Sequence, residues 1–260
     1  DRGGSMFLAI DVGNTQGTLG LYDETGAMRH GWRMATTSSD TADTLRSRLG
    51  GYLHMDGFDY PDVTEAGLAC VVPVLSRAWR RCLTEVLGRP PLVVSPGMDC
   101  GMEIRMPEPR SVGADRIANA VAARADYGAP VIVVDFGTAT TFCAVDKKGT
   151  YLGGAICPGI GISTDALVQR TAKLPRIEVV RTDKVICRNT VESMQAGVFY
   201  GFVGQVDGIV ARMRKELGCK AKVVATGGLA VIVAPATDAI DVVEPMLTLE
   251  GLKIIYDRNN

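Results

Sequence analysis

The sequence predicts an α/β protein made of two tandem, related units, and three observations carry that prediction. An apolar strand twice runs into an aspartate, a glycine and a threonine, then turns into a second strand that closes on Asp and Gly. Strands precede helices in a similar order in both halves. A Gly-rich turn, ATGGLA at Ala225 to Ala230, follows an apolar strand late in the second half.

The first half opens on FLAIDVGNT, which predicts a strand over Phe7 to Asp11 followed by a turn through Gly13 and Thr15. Its partner strand runs from Gly17 to Tyr22 and closes on Asp23 and Gly26. A third strand is expected at Arg29 to Ala35, then a helix from about Thr41 to Leu53. A buried strand (Ala66 to Val72), a helix (about Leu75 to Leu87) and a strand (Leu92 to Ser95) complete a βββαβαβ order. Pro73, Pro90 and Pro91 punctuate the transitions, as residues that break helices should.

The second half repeats the theme. VIVVDFGTATT predicts a strand over Val131 to Asp135, a turn through Gly137 and Thr138, and a partner strand over Thr140 to Val145 that closes on Asp146 and Gly149. A strand at Tyr151 to Ile156, a helix at about Ser163 to Ala172 and a long helix at about Thr190 to Leu217 follow. A strand at Lys222 to Ala225 and a closing helix at about Thr248 to Tyr256 end the pattern. The long helix places Val191, Met194, Val198, Phe202, Val206, Ile209 and Met213 in one apolar set, with Phe199, Val203, Val210 and Leu217 in a second. Two sets widen the apolar surface beyond one stripe, so the helix is either central to its domain or shared with a partner chain. Homodimers are the commonest soluble oligomers, and a dimer is the expectation. The expected domains are 6–118 and 119–260.

The repeated hairpin has a legible chemistry. An aspartate that closes a buried strand offers a carboxylate at the sheet's edge, able to hold a metal ion or its water shell. The glycine two residues on lets the backbone approach a ligand closely, and the following amides and threonine hydroxyl can donate to phosphate oxygens. Two such loops facing each other across a cleft would grip one nucleotide polyphosphate. A single copy reads more readily as an ordinary tight turn, and it is the repetition that reverses the preference in favour of phosphate.

Composition excludes several classes. There are 28 basic and 29 acidic residues and no dense basic run, so no electrostatic footprint for nucleic acid or an anionic membrane is expected. Arg77, Arg80 and Arg81 read as the solvated face of one helix. The seven cysteines form no CxxC pair, which predicts neither a zinc site nor a disulfide framework, and a reduced, cytoplasmic setting is expected. Cys143 and Cys157 read as small core residues. Residues 1–5 read as an expression scar ahead of Met6, and no apolar run approaches the ~20 residues of a membrane span.

No GxxxxGK[ST] occurs and the glycines of GGAICPGIG do not fit GxGxxG, which disfavours P-loop and Rossmann enzymes. The two histidines, His30 and His54, have polar neighbours and read as surface residues, so nucleophilic catalysis lacks its usual base. Between the halves lies PRSVGADRIANAVAARA, in which Gly113, Ala114, Asp115 and Arg116 open a helix. Ser111 as its cap and Asp115 at the positive end of its dipole make one reading. The other is a carboxylate at the mouth of the cleft that takes a proton from an acceptor hydroxyl, with Arg116 supplying fixed positive charge.

Each half resembles a ribonuclease-H-like unit. Two of them around a nucleotide resemble the acetate kinase, sugar kinase, Hsp70 and actin superfamily, in which a third, Gly-rich turn such as ATGGLA holds the adenosine. The whole chain from Met6 is further identified as similar to the type III pantothenate kinases, on motifs in order: DVGNT, GADR, DFGTATT, GGAICPG, TAKLP, RNT, MQAGVFYG, ATGGLA and LTLEGLKIIY. The resemblance implies ATP-dependent phosphorylation of the 4'-hydroxyl of pantothenate, the first step toward coenzyme A, with Asp115 as base. Gly113, Ala114, Asp115, Arg116 and Thr190 would bind pantothenate, Thr190 at a subunit interface. Asp11, Val12, Gly13, Asn14, Thr15, Gln16, Gly17 and Thr18 would bind ATP with Thr138. Asp11 would organise Mg2+, and Asp135 would hold a potassium or ammonium ion.

Family members commonly carry a Y-x-N-P pattern before the GxDR motif. Here Met106 stands in place of the Tyr and Glu108 in place of the Asn, while Pro109 is kept. Three other readings compete. Another small-molecule kinase of the superfamily, acting on a sugar or a carboxylate, would share the ATP loops and is separated by GADR. A DNA-binding regulator would want a basic patch, and an actin-type scaffold would want filament contacts.

Overall fold

The computed structural model describes residues 5–95 and 97–260, so most of the stretch read as a scar lies outside the described residues. The chain opens with β1 (Met6–Val12), β2 (Gln16–Tyr22), β3 (Met28–Ala35), α1 (Ala42–Met55), β4 (Val63–Cys70), α2 (Pro73–Leu87) and β5 (Leu92–Val93). It continues through α3 (Ala114–Tyr127), β6 (Val131–Phe136), β7 (Ala139–Val145), β8 (Tyr151–Pro158) and α4 (Ile160–Gln169). It ends with α5 (Thr190–Leu217), β9 (Lys222–Thr226), α6 (Ala230–Val233), β10 (Val242–Val243) and α7 (Leu247–Arg258).

Two compact units result. One comprises the chain up to Gly101 with Pro107–Ala122 and Thr248–Asn260, the other Met102–Met106 with Ala123–Leu247. Each holds a mixed five-stranded sheet, ordered β3-β2-β1-β4-β5 in the first and β10-β9-β6-β7-β8 in the second. The orders correspond strand for strand, read from opposite edges. β1 and β6 are the central strands, each antiparallel to its hairpin partner and parallel to the strand on its other side.

In the first unit one sheet face presents Leu8, Ile10, Leu19 and Leu21 to Leu45, Leu49 and Leu53 of α1 and to Leu75, Trp79 and Leu83 of α2. Truncating one of these buried leucines to Ala costs about 2–5 kcal/mol. Thr41 caps α1 by accepting from the Thr44 amide at 3.2 Å, and Gly88, at φ 69°, ends α2 in the left-handed conformation. α7 completes the same unit. Tyr256 packs against Phe7 of β1 with ring centroids 4.4 Å apart and planes tilted by 44°, and the Thr248 hydroxyl donates to Asn119 Oδ1 of α3 at 2.6 Å.

In the second unit α5 supplies the main helical wall. Phe199, Phe202, Val203, Val206 and Val210 pack with Val134, Phe142, Val223 and Ala225 of the sheet. The helix spans the expected Thr190–Leu217, with Asn189 accepting from the Glu192 amide at one end and Gly218 at φ 64° at the other. Of the residues assigned to its apolar sets, Val191 is exposed and Val198, Ile209, Met213 and Leu217 are half-buried. The buried face therefore draws on both sets, through Met194, Phe202 and Val206 of the first and Phe199, Val203 and Val210 of the second.

Several boundaries differ from expectation. β4 starts at Val63 rather than Ala66, because Val63 and Glu65 still pair with Met6 and Phe7 of β1 around a register shift at Thr64, and it ends at Cys70. β5 is two residues long. α4 begins at Ile160, inside the Gly-rich motif that obscured its start, and ends at Gln169. β10, a two-residue edge strand, carried no sequence signal. Arg77, Arg80 and Arg81 all lie exposed on α2 as expected. All seven cysteines are free thiols, with Cys143 buried and Cys157 half-buried against the core.

Candidate active site

In the first unit, β1 delivers Asp11 to the sheet's end between Thr18 of β2 and Ala69 of β4. The Gly13 amide donates to Gln16 O at 3.1 Å and closes a tight turn that leaves Asn14 and Thr15 exposed. Gly17 and Thr18 lie within β2, opposite Val12 and Asp11. Two neighbours hold this loop from outside. The Val71 amide donates to Val12 O at 3.0 Å, and Thr36, just past β3, donates its amide to Thr15 O at 3.0 Å and its hydroxyl to Gly13 O at 2.8 Å. Burial pushes up the thiol of Cys70, which pairs with Val12, and the negative charge of Asp11 adds to this.

The same unit carries Gly113, Ala114, Asp115 and Arg116. A 3-10 turn over Pro109–Ser111 leads into Gly113, and α3 starts at Ala114, so Asp115 sits in its first turn, where the helix dipole favours an anion. Ser111 is not the cap of this helix. Its hydroxyl donates to Glu108 O at 2.7 Å within the preceding turn. Beyond its half-buried first turn α3 is buried through Ile117, Ala118, Ala120, Val121 and Ala122, which anchors that turn to the core.

In the second unit β6 delivers Asp135 between Thr141 of β7 and Thr226 of β9. The Gly137 amide donates to Ala139 O at 3.1 Å, leaving Thr138 exposed, and the Gly159 amide donates to Thr138 O at 3.1 Å. A side chain at Gly159 would strike the carbonyl oxygens of Thr138 and Gly137. The ATGGLA turn meets the same strand. Gly227 adopts φ 90°, and a Cβ there would lie 2.6 Å from the Phe136 carbonyl carbon.

Thr190 opens α5 and lines a groove of about 900 Å3 in this unit, with Pro158, Ser163, Leu167, Arg188, Ser193 and Gln205 also on its walls. Met106 is half-buried, and a Cβ at Gly153 would lie 2.9 Å from its sulfur. Sequence reasoning missed Thr36, Ser163 and Gln205. Thr36 lies in a Thr- and Ser-rich stretch that reads as an ordinary loop, so no local signal marks it. His30 and His54 are engaged elsewhere, each 3.3 Å from an aspartate, Asp56 and Asp59 respectively. Among the described residues no group of three or more His, Cys, Asp or Glu side chains could hold a metal ion. A lone carboxylate suits magnesium only where phosphate oxygens and water supply its remaining ligands.

Solved structures with this fold define its class. Over 98% of the chain and 96% of its partner, it matches an activator of 2-hydroxyisocaproyl-CoA dehydratase from Clostridium difficile with bound ADPNP, at TM-score 0.57 and 12% identity. Over 98% of the chain and 100% of its partner, it matches an inorganic polyphosphate/ATP-glucomannokinase from Arthrobacter sp. strain KM, at TM-score 0.51 and 15% identity. The chain thus shares the duplicated α/β fold of these two proteins, with two mixed five-stranded sheets. Within it the assignment narrows. The family model for type III pantothenate kinase matches residues 7–212. The chain is 54% identical over 254 residues to the type III pantothenate kinase of Moorella thermoacetica, covering 98% of the chain and all of that relative. Identity to the enzyme of the same name from Geobacillus kaustophilus is 48% over 254 residues, covering 98% of each. The chain belongs to the type III pantothenate kinase family.

Proposed function

We propose that this protein transfers the γ-phosphoryl group of ATP to the 4'-hydroxyl of pantothenate, the entry step to coenzyme A. The observation that carries this reading is family membership across the length of the chain, together with the paired Asp-Gly-Thr hairpins in the two sheets. The loop from Asp11 through Thr18 and the Thr138 turn bind the ATP phosphates through amides and hydroxyls, and the ATGGLA turn receives the adenosine. Gly113 to Arg116 bind pantothenate. Asp115 takes the proton as the hydroxyl oxygen bonds to the γ-phosphorus and the bond to the bridging oxygen of ADP breaks. Such a transfer needs mainly alignment and charge neutralisation, which a fixed carboxylate and Arg116 supply.

Asp11 would hold the magnesium that comes with ATP, which would supply charge neutralisation at the phosphates, and Asp135 would hold a potassium or ammonium ion. Thr190 reaches pantothenate across a homodimer interface. Support for that interface comes from α5, where Gly197, Gly201 and Gly204 lie exposed on one face and a Cβ at any of them would meet nothing within 4 Å. Among the described residues no helix is long and apolar enough to cross a membrane, and a cytoplasmic setting suits the seven free thiols.

The test is ATP consumption with and without pantothenate, in magnesium buffer containing ammonium, potassium or only sodium. Turnover that requires pantothenate together with ammonium or potassium is the expected result. ATP turnover indifferent to pantothenate would overturn the substrate, and equal rates in sodium would overturn the cation.

A further inference from the structure

The two hairpins are held shut in parallel ways, and the difference between them singles out one residue. In each, the glycine amide closes the turn on itself, Gly13 to Gln16 O and Gly137 to Ala139 O. In each, the first residue after the third strand donates its amide to the turn, Thr36 to Thr15 O and Gly159 to Thr138 O. The first loop is one residue longer, since two residues rather than one separate its glycine from the accepting carbonyl. A longer loop has more conformations to suppress. At that place alone the tying residue carries a side chain, and Thr36 Oγ1 donates a further bond of 2.8 Å to Gly13 O.

We propose that Thr36 is a positioning residue for phosphoryl transfer: its hydroxyl latches the Gly13–Thr15 turn so that the loop amides point at the polyphosphate before the nucleotide arrives. The second loop needs no such latch, being shorter, and has no room for one, because a side chain at Gly159 would strike its carbonyls. Binding through a preorganised backbone turn is weakened when the turn must first be ordered. This inference rests on the reading of the first loop as a phosphate site.

The test compares the full-length protein with Thr36→Val, which keeps the shape and the amide bond, Thr36→Ser, which keeps the hydroxyl, and Thr15→Val within the loop. Thr36→Val is expected to raise KM for ATP about three- to tenfold, the effect of one lost hydrogen bond. KM for pantothenate and the unfolding temperature should hold, adenosine affinity should not change, and Thr36→Ser should restore KM for ATP. Equal weakening of ATP and adenosine, or an unmoved KM for ATP in Thr36→Val while Thr15→Val raises it, would overturn the latch. No effect of Thr15→Val on ATP would instead overturn the phosphate reading of the loop, and with it the basis for the latch.

Discussion

Asp115 occupies the second position of α3, and its carboxylate folds back over the preceding glycine: a Cβ at Gly113 would lie 2.5 Å from Asp115 Oδ1. Gly113 therefore sets where that oxygen can stand. Asp115→Asn should reduce kcat by two orders of magnitude or more while ATP affinity and unfolding temperature hold, in line with general-base contributions of about 10²–10⁴. Steady-state kinetics beside calorimetric nucleotide titration checks this, and near-normal turnover would remove Asp115 from the mechanism. Gly113→Ala makes a finer claim. The added methyl displaces a flexible carboxylate rather than backbone, so kcat should fall with little loss of stability. A variant with full activity would mean that the observed rotamer is unimportant.

At the scale of elements, the two hairpins repeat down to the turns that close their second strands. Asp23 and Asp146 each accept a backbone bond from the residue four on, Ala27 and Thr150, and the amides of Gly26 and Gly149 donate back to their carbonyls. The Thr25 hydroxyl, chiefly, holds the Asp23 carboxyl below the usual aspartate range, and the Thr150 amide does the same for Asp146. A carboxylate favoured in the folded state adds stability above its unfolded pKa of about 4 and loses it as pH falls through the lower folded value. Asp23→Asn and Asp146→Asn should each lower the unfolding temperature at pH 7 and flatten its decline below about pH 4. Thermal melts across pH 2–7 would show it, and an unchanged acid limb would refute it. These turns were legible because their chemistry is local: an aspartate and a glycine three apart bond to their own chain. The same holds for α5, whose cap Asn189 and stop Gly218 bracket a periodic stretch. The Thr36 tie was not legible, because it joins residues 23 apart through a loop whose composition says only that it is a loop. β10 and the Gly-rich start of α4 escaped for a related reason: two residues have no periodicity, and glycine conceals a helix.

α5 is buried on one side by its own sheet, while Gly197, Gly201 and Gly204 lie on the exposed side and Thr190 opens the same helix. If a partner helix packs there, Gly201→Glu should convert a dimer into a monomer in sedimentation velocity and raise KM for pantothenate, with the unfolding temperature of the monomer close to its concentration-independent value. A variant that remains dimeric would place the interface elsewhere.

The return of α7 to the first sheet has a bearing on biosynthesis. Leu249, Leu252, Ile255 and Tyr256 are buried, and they belong to the unit whose other segments end at Ala122. Every residue of the second unit emerges from the ribosome before them. The usual order, in which the earlier domain matures first, is therefore inverted. The second unit can finish while the first still waits with the face around Phe7 open, and nascent chains halted before Thr248 should be the ones that chaperones and proteases find.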